Sequence, residues 1–346
     1  MNISEFGGNG SASEQVKQFI EFRIAYYVNN SALWVLAFVG LICNLLAFIT
    51  ICMIKPFTNA SFFVALLAVL DACVLLMKLI YQQLTAYNVP IGDLGCSITT
   101  FLGNFLIHFS TWTLVTMTIE RFVAVWFPLR VNRIFTMFRA KILATIIGCL
   151  LVSLNIHFLW TYEIYVDSNP DIQLNCRSRK RYDYFEKHYW YWINSCVYAF
   201  IPCGVLTVLN ALIIYGMKKS IRLQKKMTTV DRRAPSRNNQ QKQVTIMLVA
   251  VSIACVCFLL PICIFYLGSV YQPASMDPHT QATYFLYTEL VLLTAELNHV
   301  CNVFFYFFSS PKFRSMLIKL LTSHFRRRED KSSHHQYSMS TTIQKL

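Results

Sequence analysis

The sequence predicts an all-α membrane protein built as a seven-transmembrane helix bundle. Three observations carry this. Of 346 residues, 55% are hydrophobic and only 14% charged, with a mean hydropathy of +0.44, a composition at odds with a water-soluble domain of this size. Crossing a bilayer takes about 20 mainly apolar residues per helix, and seven runs of that length recur. The basic residues between the runs fall mostly on one side.

The runs lie near 30–54, 61–87, 96–126, 140–164, 188–217, 243–270 and 284–308. Of the 31 Lys and Arg residues, 23 fall at Lys55, in 121–141, in 218–242 and after 311, while seven fall on the opposite side and Lys78 sits inside a span. Basic loops stay in the cytoplasm, so residues 1–29 form an extracellular N-terminal segment of a multi-pass plasma-membrane protein. The opening MNISEFGGNG is polar and lacks the layout of a cleaved leader, which implies a mature N-terminus. Sequons at Asn2, Asn9 and Asn29 would then enter the secretory lumen and become glycosylation sites, whereas a fourth at Asn59 would face the cytosol unused. The net charge of +14 follows from a cytoplasmic rim facing anionic lipid, and nucleic acid is not needed to explain it.

Ten of the twelve cysteines lie in apolar runs, where a thiol acts as a small hydrophobe. Cys96 opens the third span and Cys176 lies in the loop after the fourth. Both face the oxidising side and can pair.

Ionisable groups inside a membrane are costly and mark function or a partner. The third span ends Glu120-Arg121-Phe122, followed by Pro128 and Leu129. This segment resembles the E/DRY motif of rhodopsin-like (class A) G-protein-coupled receptors, with Phe122 in the tyrosine position. The resemblance extends over all seven spans. Cys96 precedes Arg121 by the family's 25 residues, and Asn44, Asp71 and Ser110 match polar positions of the first three helices. Pro202 and Pro261 match kink prolines. Asn302 to Tyr306 resembles NPxxY without its proline, and Pro311 onward looks like an amphipathic helix 8 over 311–325. Residues 326–346, with Ser332, Ser333, Ser338, Ser340, Thr341 and Thr342, read as a disordered cytoplasmic tail.

The resemblance implies a receptor that activates a heterotrimeric G protein, with a receptor kinase and arrestin acting on the phosphorylated tail. It implies no cofactor beyond an allosteric Na⁺ held by Asn44, Asp71, Ser110 and Asn302. Arg121, held by Glu120 at rest, would be released as the sixth helix swings about Pro261, and Pro128 and Leu129 would form the knob of the second inner loop. The chain also departs from the family. Leu259 replaces the toggle tryptophan, Gly148 the fourth-helix tryptophan, Val303 the seventh-helix proline and Asn210 the fifth-helix tyrosine.

Amine receptors carry an aspartate where this chain has Gly103, and opsins carry the retinal lysine where it has Glu296. A cavity bordered by Gln82, Gln83, Tyr87, Asn104, His108, Tyr287 and Glu289 under a basic, aromatic loop suits an extracellular peptide. The segments around Pro202 and Arg121 are similar to invertebrate neuropeptide receptors of the FMRFamide-receptor-like group. A chemosensory receptor for a small molecule or lipid is the alternative. A seven-span channel or transporter would need broken helices or an internal repeat, and an enzyme would need a nucleophile, metal cluster or phosphate loop at workable spacing.

Lys78 follows Asp71 by seven residues, two helical turns, and Glu296 precedes Asn302 by six, so both rise about 9–10 Å above the same level. An ion pair between them is expected across the second and seventh helices. The alternative is a snorkelling lysine beside a protonated acid.

Overall fold

The computed structural model describes residues 15–87, 89–165, 175–227, 236–269 and 276–322. Seven long helical rods dominate it. They are α1 (Ile20–Met53), α2 (Asn59–Ala86), α3 (Gly92–Trp126), α4 (Met137–Thr161), α5 (180–227), α6 (Ser236–Ser269) and α7, whose two segments Pro278–Val300 and Asn302–Ser309 meet at a 48° bend. Residues 311–322 form a further helix, α8.

Five of these, α1, α2, α4, α5 and α6, are long and apolar enough to cross a bilayer, and the bent α7 makes a sixth. The seventh, α3, has ample length at 35 residues, about 50 Å. It is diluted by buried Ser97, His108, Ser110, Thr111, Thr113, Thr116, Thr118, Glu120 and Arg121. Such a helix belongs in the middle of a bundle, where neighbours satisfy its polar groups and lipid does not reach them.

One continuous core joins the rods, with Phe63 and Leu67 of α2, Leu114 and Met117 of α3, Leu206 of α5, Leu248 and Leu259 of α6, and Tyr306 of α7. The outer face is apolar as well, exposing Trp34, Phe38, Leu150, Val208 and Ile264, as helices facing lipid require.

α1 begins ten residues before the expected boundary at 30. Phe22 and Ala25 share one face of this extension and pack with Val16 against Ala282 and Phe285 of α7, the Phe22 and Phe285 rings stacking at 5.3 Å. Asn29 therefore lies within α1, in a π-type turn over Val28–Ala32, and its carbonyl accepts from Gln82 Nε2 at 2.7 Å. Asn2, Asn9 and the tail from 323 lie outside the described residues.

Both of the expected kink prolines lie inside helical rods. A π turn over Cys196–Phe200, in which Ile201 N–H donates to the Cys196 carbonyl, lies one residue before Pro202, whose ring nitrogen has no hydrogen to donate. Pro261 sits inside α6. The bend in α7 persists although Val303 stands in the proline position. At Cys301 the chain tightens, with Phe304 N–H donating to the Cys301 carbonyl at 3.1 Å.

Two strands cover the Cys96 end of the bundle. β1 (Tyr162–Tyr165) and β2 (Asn175–Ser178) pair antiparallel, with Ile164 opposite Cys176. The Cys96–Cys176 disulfide, Cα atoms 5.5 Å apart, ties β2 to α3. Asp93 accepts from Ile164 N–H at 3.0 Å, and Arg179 lies 3.5 Å from Asp93 and 3.9 Å from Glu163. At the top of α7, Asp277 caps the helix by accepting from Thr280 N–H at 3.0 Å, and hydrogen bonding from Thr280 holds its carboxyl below the usual range.

Phe285→Ala, which empties a ring from the α1–α7 seam, should destabilise the bundle by ~3 kcal/mol. Lowered thermal stability and faster hydrogen exchange in residues 16–25 would be measured. Leu150→Ala on the lipid face should leave both unchanged.

Candidate functional site

Side chains of α3 and α7 converge on Asp71 of α2, which is fully buried. Its Oδ1 accepts from Ser110 Oγ of α3 at 2.5 Å and from His299 Nδ1 of α7 at 2.7 Å. Its Oδ2 accepts from Asn302 Nδ2 at 2.7 Å. Asn44 of α1 does not reach the carboxylate and instead donates to the His299 backbone carbonyl at 2.9 Å. Of the expected quartet, Asp71, Ser110 and Asn302 are bonded directly, while Asn44 joins them only through the backbone of His299, which is added at the centre. An ionisable residue inside the seventh span was the sequence signal for His299, which lies three residues, about one turn, before Asn302.

At the other end of α3, Arg121 lies in a bidentate ion pair with Glu120, both buried. Such a pair is stable only while both partners stay together, since a lone buried charge is expensive. Trp126, one turn after Phe122, donates to the Leu212 carbonyl of α5 at 3.1 Å and stacks on Tyr215. Beyond it, Pro128 is exposed and Leu129 is 96% exposed, an unsupported apolar knob at the Arg121 end.

Tyr306 is buried against Phe313 of α8, ring centroids 5.6 Å apart. Its hydroxyl has no hydrogen-bond partner among the described residues. Asn210, in the family's tyrosine position on α5, accepts from Ser252 of α6 at 2.7 Å. Neither Ser252 nor this α5–α6 clasp was anticipated from sequence, because a serine in an apolar run is commonplace. Leu259 is buried where the toggle tryptophan would stand.

In the half nearer the disulfide, Lys78 Nζ of α2 meets Glu296 Oε1 of α7 in an ion pair. The lysine side chain keeps 27% of its surface and the glutamate 10%. Glu296 Oε2 is buried without a partner among the described residues. Glu289 is buried two turns above Glu296 on the same side of α7, and Tyr287 is exposed, its ring 6.1 Å from Phe265.

Other expected cavity residues take different places. His108 is buried, bonded to Asn194 of α5 at 3.0 Å and to Asn155 of α4 at 3.1 Å, so it is a cross-link of three helices and does not line a cavity. Asn104 donates to the Thr100 carbonyl of its own helix at 2.9 Å, and Gln82 turns toward α1. Gln83 and Gly103 are half-buried, and a Cβ placed on Gly103 would meet nothing within 4 Å. Open space therefore stands where an amine receptor carries its aspartate.

The chain is 25% identical over 324 residues to growth hormone secretagogue receptor type 1 of Oryctolagus cuniculus, covering 91% of this chain and 86% of that protein. It is 27% identical over 186 residues to the neuropeptide S receptor of Mus musculus, covering 53% and 48%. Against a rhodopsin, GQ-coupled, of Mizuhopecten yessoensis it is 25% identical over 237 residues, covering 65% and 45%. The alignments thus span less than half the length of the last two relatives. Residues 43–306, more than half the chain and all the switch positions from Asn44 to Tyr306, match the family described as 7 transmembrane receptor (rhodopsin family). The chain belongs to the rhodopsin family of seven-transmembrane receptors.

Proposed function

We propose that this receptor binds an extracellular peptide at the disulfide end of the bundle and activates a heterotrimeric G protein at the Arg121 end. The carrying observation is the buried Glu120–Arg121 pair at the inner end of a helix whose middle is bonded to Asp71 through Ser110. Movement of α3 or α7 at the hub is thereby linked to the charge that would meet the G protein. Release requires Arg121 to leave Glu120 and α6 to swing about Pro261, breaking the Asn210–Ser252 bond on the way.

A peptide ligand is supported by the likeness to receptors named for a growth hormone secretagogue and for neuropeptide S. Gly103 and Glu296 argue against an amine anchor and a retinal linkage. The Lys78–Glu296 pair, partly open yet deep in α2 and α7, offers such a ligand both a donor and the unpartnered Oε2 acceptor. The distribution of basic residues supports an N-terminus outside the plasma membrane, and phosphorylation of the serine and threonine tail would recruit arrestin.

Expressing the receptor with a promiscuous G protein and screening amidated peptides tests the reading. A peptide response is expected, lost in Arg121→Ala while surface expression and peptide binding persist. A ligand-gated current surviving Arg121→Ala without any G protein would overturn it.

Breaking the intramembrane pair with Lys78→Glu or Glu296→Lys should cost roughly 3–5 kcal/mol through the uncompensated charge left behind. Surface expression should fall in each single variant and recover in the double reversal. No recovery would show that the pairing itself does not matter.

A further inference from the structure

The polar hub of this bundle does not fit the sodium ion that its family resemblance implies. A hard cation is held by oxygen lone pairs converging on it. Here Asp71 Oδ1 already accepts from Ser110 and His299, and Oδ2 from Asn302. Because a carboxylate oxygen can only accept, His299 Nδ1 must carry its hydrogen and point it at Asp71. The same reasoning fixes the Asn302 amide with its NH₂ group facing the carboxylate. Three side chains thus turn hydrogens, not lone pairs, toward the acid, and the Asn44 amide donates to the His299 carbonyl.

We infer that the His299 imidazole stands in the place of the cation, so that this receptor does not take Na⁺ as an allosteric ligand. The ring is 1% exposed and 2.7 Å from Asp71, so no ion can approach Oδ1 without expelling it. Expulsion would carry a cost, since among the described residues the bond to Asp71 is the ring's one polar contact and Nε2 has no hydrogen-bond partner. The stabilisation of the carboxylate that a mobile ion would supply is instead built into α7 as a covalently attached hydrogen-bond donor. Its consequence is a switch whose resting tie between α2 and α7 cannot dissociate into solution, and whose set point is independent of external sodium.

This inference does not depend on the ligand's identity. Purified receptor would be melted in NaCl and in choline chloride of equal ionic strength, which equalises screening. The wild-type midpoint should be the same in both salts. His299→Ser, which removes the ring and leaves a hydroxyl oxygen, should gain a sodium-dependent rise of a few degrees, as ligand binding to the folded state produces. His299→Asn serves as a second variant should the serine protein fold poorly. Adding Asp71→Asn to the responding variant should abolish the gain. A sodium-dependent rise in wild type, indifference of both His299 variants, or a gain that survives Asp71→Asn would each overturn the inference.

Discussion

In hydrocarbon every polar atom must find its partner within the protein, and this constraint converges on the carboxylate of Asp71. A lone acid there would be intolerable, so Ser110, His299 and Asn302 are drawn inward from two other helices. Asn44 reaches the same cluster by bonding the backbone of His299. The interaction therefore sets the azimuth of α1, α2, α3 and α7 together. Apolar packing alone could not do so, because it is non-directional and tolerates sliding.

That distinction separates the parts of the bundle that are pinned from those that can move. His108 pins α3 to α4 and α5 through Asn155 and Asn194, and the disulfide with the Asp93–Arg179 contact pins the strand cover to α3. α6 joins the core largely through Met247, Leu248, Val251, Cys255 and Leu259, with Ser252 bonded to Asn210. A helix seated on apolar side chains and carrying an internal proline suits the proposed swing, because one set of dispersion contacts can be exchanged for another. Replacing the toggle tryptophan with Leu259 preserves this, since shape and not an indole hydrogen bond fills the site.

Much of the candidate site was legible because helical spacing converts sequence separation into height. The seven residues from Asp71 to Lys78 and the six from Glu296 to Asn302 set both charges at one level, and the two side chains are joined there. Sequence spacing gives height but not the direction of a side chain relative to its neighbours. Hence His108 looked like a cavity residue until Asn155 and Asn194 closed around it. The extension of α1 was illegible for another reason. Residues 20–29 are too polar to register as a span, and the partners that make them helical, Ala282 and Phe285, lie some 260 residues away.

The departures in α7 compensate one another. Loss of the proline at Val303 removes the ordinary cause of a kink, yet the 48° bend remains. Its two flanks are held by the same acid, His299 from the segment above Cys301 and Asn302 from the segment below. A straight helix turns about 300° over three residues, so the two side chains already lie near one another, and the tightened turn at Cys301 brings both onto Asp71. With a proline, the kink would arise from the backbone and the hub would only exploit it. Without one, the hub and the tightened turn sustain the kink, and the histidine is what lets the hub close on the upper flank.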